Sequence, residues 1–200
     1  MLKVLNRPLL ALMIERLKKI NFVKSIIIAT TTNKEDDAIA NLAVNSRVKF
    51  FRGSENDVLG RVAHAVTENM TDIVVQITGD TPLVDKKITE SIIEFYISNQ
   101  NKYNFVSNDI GVYNKAFKQE FPLGLSAKVF DSSLLLDIEK TTSNPIDREH
   151  VVNYILKNHK KYKIYNFKAE KKYCRPDLRL TLDYPEDYKL IKSIYENLYK

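Results

Sequence analysis

Cysteine is nearly missing from this sequence, and long apolar runs are absent from it altogether. The single cysteine, Cys174, has no second thiol to bond and no Cys or His at metal-ligand spacing. An internal disulfide and a thiolate zinc site are therefore excluded, and Cys174 reads as an inert packing residue. No stretch reaches the ~18 apolar residues that a membrane-spanning helix needs, and no charged-then-apolar leader opens the chain. A cytoplasmic protein without a membrane partner is expected. Internal repeats and low-complexity tracts are also lacking, so solenoid and disordered architectures drop out.

What is present is 200 residues with 44% apolar side chains, enough for one domain with a continuous core spanning residues 1–200. The formal net charge is +6, and the excess gathers late, at Lys157, Lys160, Lys161, Lys163, Lys168, Lys171, Lys172 and Arg175. Such a run attracts phosphates or an acidic substrate, or is a solvated face. It carries no glycine-rich loop, RNA-binding aromatic motif or zinc-finger spacing, so nucleic acid is not an expected partner.

Apolar residues at Leu9, Leu10, Met13, Ile14 and Leu17 recur at helical spacing after Pro8, predicting an amphipathic helix over 8–19. The unbroken run Ile26-Ile27-Ile28-Ala29 predicts a strand covered on both faces. A helix over 36–44, a strand over 48–51, a helix from Asp57 to about Met70, a strand over 73–77 and a helix over 86–98 follow. This alternation predicts right-handed crossovers and a mostly parallel, three-layer α/β sheet. After a strand at Phe105-Val106 the rhythm fails between Asp109 and Ser126, where an irregular excursion is expected. A helix over 146–157, strands near 162–167 and 178–182, and a last helix from Pro185 complete the reading.

In open α/β sheets, ligands collect beyond the carboxyl ends of the strands. One such end carries Thr78-Gly79-Asp80-Thr81-Pro82-Leu83-Val84-Asp85, where Gly79 lets a ligand approach the backbone and Asp80 can hold a divalent cation. A second carries Asp183-Tyr184-Pro185-Glu186-Asp187, in which Asp183 is either a metal ligand or a helix cap. Two strand-tip carboxylates together favour a nucleotide site, since Mg²⁺ is held by one or two carboxylates plus substrate phosphates. The third end runs from Arg52 through Gly53, Ser54, Glu55, Asp57 and Val58 to Arg61. It offers free N–H groups and a cation for a base edge or a phosphate, and it equally resembles a plain turn and cap.

Taken in order, these segments resemble the cytidylyltransferases that include CMP-sialic acid and CMP-KDO synthetases, and most of all the spore-coat polysaccharide branch. The pieces are Lys3-Val4-Leu5 with Pro8-Leu9-Leu10, the segment from Gly53 to Arg61, Gly79 to Asp85, Ser107-Asn108, Phe121 to Leu125, Arg148 to Val151, and Thr181 to Asp187. The resemblance implies a Rossmann-like nucleotide-diphospho-sugar transferase fold and transfer of CMP from CTP to a sugar, often an acidic one, with release of pyrophosphate. It places Mg²⁺ on Asp80 and Asp183 as the catalytic pair. The nucleotide would lie along Arg52, Gly53, Ser54, Glu55, Asp57, Val58, Arg61, Thr78 and Gly79. Pro122, Gly124, Arg148 and His150 would border the sugar, His150 being alternatively a satisfied histidine at a core edge. Residues about 109–165 would form the sugar-pocket and dimerisation excursion of a homodimer. Tyr154 and the stretch Tyr113 to Phe117 read as packing or dimer surface.

Two departures stand against that pattern. The family's first strand and its glycine-rich, phosphate-gripping loop, about two dozen residues judged from the size of such a turn, would precede Leu2 and have no counterpart here. The expectation is a truncated or internal start and a weakly active or inactive chain. The other departure is Ser126-Ala127-Lys128, where relatives tend to be acidic; Lys128 signals either a more acidic sugar or a pocket released from catalysis. Two rivals stay open, a non-catalytic binding or dimer partner and a glycosyltransferase of related fold. The lack of an Asp-x-Asp at the metal tip opposes the latter.

Overall fold

A computed structural model describes residues 1–199. The chain opens with a hairpin, β1 (Lys3–Val4) and β2 (Arg7–Pro8), whose two-residue turn puts Leu5 and Asn6 at positive φ. That is the turn geometry matching the strand twist, adopted here without glycine. The first helix, α1 (Leu9–Leu17), follows at once and buries Leu9, Met13 and Ile14 of the face read from the sequence together with Leu12, while Leu10 and Leu17 are half-buried.

β3 (Ile27–Thr31) and β4 (Lys49–Gly53) pair in parallel around α2 (Asp37–Asn45), and α3 (Val58–Glu68) packs on both strands. A separate four-stranded sheet holds β5 (Ile73–Gln76), β6 (Phe105–Ser107), β7 (Lys128–Asp131) and β8 (Ile164–Asn166) in the order β5-β7-β6-β8. The class is the expected Rossmann-like α/β. Its sheet pairing, however, is mixed: β7 runs antiparallel to both neighbours, while β6 and β8 are parallel.

The expectation that Ile26 to Ala29 is covered on both faces is not met, because these residues are half-buried throughout. Among the described residues β3 has a strand neighbour on one side alone, as does β5, so both keep an open edge. The expected helix over 146–157 is broken into α7 (Pro145–Glu149) and α8 (Asn153–Lys157), and the break turns Val151 and Val152 into the core. The expected strand over 178–182 is reduced to one parallel bridge, Leu123 to Arg179. The irregular stretch holds one short helix, α5 (Ile110–Tyr113), and neither β7 nor the helix after it, α6 (Ser132–Thr141), is among the expected elements.

Three apolar clusters hold these layers. One gathers α3, Val74, Phe105, Phe130 and the α6 to α8 region, and a second joins Val106 and Val129 to α4 (Lys86–Ser98). The third places Ile191 and Tyr195 of the last helix, α9 (Pro185–Leu198), against Val4, Leu9, Leu12 and Leu83. This last packing matters for function. Tyr195 donates its hydroxyl hydrogen to Pro82 O at 2.8 Å, and Arg16 donates to Val84 O at 2.8 Å. The loop that carries Asp80 is thus clamped from α9 and from α1.

Candidate functional site

The segments that carry Asp80 and Asp183 are joined through the backbone. Asp80 O accepts from Leu182 N at 2.8 Å and from the Thr181 hydroxyl at 3.2 Å, which ties the β5 exit to the segment leading into Asp183. One carboxylate oxygen of Asp80, Oδ1, is buried with no hydrogen-bond partner. Buried polar atoms are nearly always paired, so an orphaned carboxylate oxygen marks a place where a cation or donor belongs. Gly79 beside it is exposed, and a Cβ there would meet nothing within 4 Å. Its backbone faces open space.

Asp183 is not the cap of α9. The carboxylate of Asp187 does that, accepting from Asp183 N at 2.9 Å and Tyr184 N at 3.0 Å. The Asp183 carboxylate is left half-exposed and paired with Arg179, whose guanidinium also donates to Asp187 and lies 5.3 Å from the Tyr184 ring centroid. Arg179 and Asp187 were missed in the sequence. The signal for Arg179 was its place four residues before Asp183 across a strand-like segment, a spacing with no meaning until the chain bends.

Asp187 sets a pH dependence. The Arg179 guanidinium, then the Asp183 and Tyr184 N–H groups, hold its carboxyl down to about 2. A folded value below the ordinary ~4 means that the unfolded chain binds more protons between the two. The stabilisation is therefore complete above about pH 4 and is lost as the pH falls through about 2. Asp187→Asn should flatten the melting temperature against pH across that window; an unchanged slope would remove Asp187 from the account.

The segment after β4 is cross-linked to itself. Arg52 donates to Thr31 O at 2.8 Å, to Asn33 O at 2.9 Å and to Asp37 Oδ1 at 2.6 Å, so its guanidinium is fully engaged in holding the β3 exit. Ser54 Oγ accepts from Asp57 N at 3.2 Å, Ser54 O accepts from Arg61 at 2.8 Å, and Glu55 accepts from Asn33. Asp57 caps α3 by accepting from Gly60 N at 2.9 Å, and Val58, the first residue of α3, packs on the core. Arg61 Nε is buried without a partner, and burial pulls its pKa down against Asp36, Asp57 and Glu55. Gly53 is closely packed, since a Cβ there would lie 3.0 Å from Arg61 Cγ and 3.0 Å from a Phe51 ring carbon. Thr78 O accepts from Thr81 N and Oγ1, fixing the turn before Asp80.

The four residues expected at the sugar are scattered in role. Arg148 donates through Nε and Nη2 to both oxygens of Asp57, and its Nη2 also reaches Glu139 at 3.1 Å. Arg148 stands at the α3 N-terminus as a clamp, and the hydrogen bond to Asp57 raises its pKa and lowers that of its partner. His150 is exposed, so the core-edge alternative does not hold, and its ring makes no hydrogen bond among the described residues. Pro122 and Gly124 are buried behind the site: Leu123 exchanges backbone hydrogen bonds with Leu178 and Leu180 at 3.0 and 2.7 Å. The turn at 122–125 supports the segment at 178–182, which in turn holds Asp80.

No three acidic, His or Cys side chains gather to hold a metal among the described residues, and no helix is long and apolar enough to cross a membrane. Residues 1–199 match the family model described as cytidylyltransferase. The chain is 36% identical over 197 residues to an uncharacterised protein of Methanocaldococcus jannaschii, covering 98% of this chain and 76% of that one. It is 27% identical over 196 residues to a spore coat polysaccharide biosynthesis protein of Bacillus subtilis, covering 96% and 77%. The solved structure of a cytidylyltransferase from Leptospira borgpetersenii superposes with a TM-score of 0.91 at 31% identity, covering all of this chain and 80% of the other.

Proposed function

The chain belongs to the cytidylyltransferase family, and from that premise we propose that it transfers CMP from CTP to a hydroxyl of a sugar for surface polysaccharide, releasing pyrophosphate. The observation that carries this reading is the backbone junction between the β5 exit and the segment leading into Asp183, with Asp80 Oδ1 buried and unpartnered beside an open glycine backbone.

Mg²⁺ suits this donor set, because a hard cation takes carboxylate oxygens and completes its shell with substrate phosphates and water. Asp80 and Asp183 would hold it, and when bound it offsets charge on the α-phosphate and the departing pyrophosphate. The remaining work falls to the protein. Arg179 keeps Asp183 oriented from one side. The Gly79 backbone allows the triphosphate to lie close, and the segment from Gly53 to Arg61, cross-linked as it is, presents a fixed edge to the cytosine and ribose. The acceptor oxygen bonds to the α-phosphorus as the bond to pyrophosphate breaks, and the hydroxyl proton is released. Positioning and charge compensation suffice for such a transfer, with no protein nucleophile.

The test is the melting temperature with each nucleoside triphosphate and MgCl₂, since a ligand that binds only the folded state raises it. CTP should raise it and UTP or GTP should not. No response to any nucleotide overturns the reading, and a response to a nucleotide sugar without CTP favours a glycosyltransferase.

A further inference from the structure

A buried polar cluster beside the carboxylate pair has no part in the chemistry above. Gln76 at the end of β5 and Ser107 at the end of β6 both lie opposite Lys128 of β7, so the three side chains share one face of the sheet. That face is the one on which Val74, Phe105 and Phe130 pack, and Gln76 lies four residues before Asp80. Lys128 has a side chain only 5% exposed, and its Nζ is 2.8 Å from Asp109 Oδ2. Ser107 donates to the other Asp109 oxygen at 2.5 Å. Tyr113 lies over the ammonium, 5.6 Å from Nζ to the ring centroid, and is 58% exposed.

Two groups in this cluster are under-used. A buried ammonium has three N–H donors, and Asp109 is the one hydrogen-bonding partner of Lys128 among the described residues. Gln76 Oε1, across the strand pair, is buried and accepts from nothing. A spare donor and a spare acceptor on adjacent strands match a hydroxyl, which accepts from one and donates to the other. An anion does not match. Asp109 already balances the Lys128 charge, and a second anion would leave a net negative charge away from water.

We infer that Gln76, Lys128 and Tyr113 form an acceptor subsite that takes a neutral hydroxyl of the sugar, Tyr113 being its accessible wall. This rests on the sugar-acceptor reading and narrows it: Lys128 does not select an acidic group, because its charge is already matched within the protein. Burial alone would lower the Lys128 pKa, yet Asp109, Tyr113 and Asp80 together outweigh it and the value is raised, so the ammonium remains a donor.

The experiment compares neutral aldoses and ketoses with 2-keto-3-deoxy sugar acids as ligands of the CTP-bound protein, read by melting temperature and titration calorimetry. Gln76→Leu replaces a half-buried amide by an apolar group of similar size and Tyr113→Ala changes an exposed residue, so both variants should fold. A neutral sugar should bind, and each variant should weaken it about tenfold, the loss of one hydrogen bond or contact surface, with the CTP response kept. Binding of the sugar acids alone overturns the inference. So does neutral-sugar binding that neither variant alters, or a CTP response with no sugar bound. Loss of the CTP response in the unaltered protein refutes the proposed function instead.

Discussion

Gly124→Ala is expected to destabilise the fold by about 3 kcal/mol or more, combining backbone strain with overpacking. Gly124 has φ +98°, in the region that disfavours any side chain. A Cβ there would lie 2.5 Å from Leu180 C and 2.5 Å from Thr181 N, and those are backbone atoms with no rotamer to swing aside. Relief would require the segment at 178–182 to move. That segment holds Asp80 through Thr181 and Leu182, so the same change should also weaken the response to CTP and Mg²⁺. Gly79→Ala is the contrast, since a Cβ there meets open space and stability should stay within about 0.5 kcal/mol. Urea unfolding of both variants decides it. A wild-type midpoint for Gly124→Ala would show that the turn at 122–125 can shift freely and does not support the site.

The difference between these two glycines was not readable in the sequence, where both sat in motif segments with the same apparent standing. What is readable is fixed by local pattern: most of the apolar face of α1, the strand β5 that leads to Asp80, and the cap at Asp57, whereas the strand expected before Asp183 shrinks to one bridge. What was hidden depended on distant partners. The resemblance assigns Arg148 to the sugar, yet its side chain reaches back 91 residues to Asp57. Lys128 stood out as a charge reversal, but its partner Asp109 lay in a stretch with no period, and only the β6-β7 register joins them. Tyr113 was set aside as an aromatic in an irregular excursion, whereas its hydroxyl lies within the field of Asp80, Asp109 and Asp183. The sheet itself was read as mostly parallel because β7 follows the irregular stretch without a sequence signal of its own direction.

Asp80→Asn is expected to cut CMP transfer by about a thousandfold, the equivalent of several kcal/mol of charge compensation in the transition state. The substitution is nearly isosteric and keeps Asp80 O as the acceptor for Leu182 and Thr181, so the fold should survive it. What it removes is the negative charge at the buried, unpartnered Oδ1. Asp183→Asn should act on the same step by a different local route, since that carboxylate is exposed and ion-paired with Arg179, and exposed pairs contribute little to stability. If the two carboxylates hold one cation between them, their effects are not independent, and the double variant should be little worse than Asp80→Asn alone. Additive losses would mean two separate roles. Retention of both transfer and the Mg²⁺-dependent response to CTP in Asp80→Asn would mean that Oδ1 needs only a water molecule, and Asp80 and Asp183 would cease to be the centre of the site.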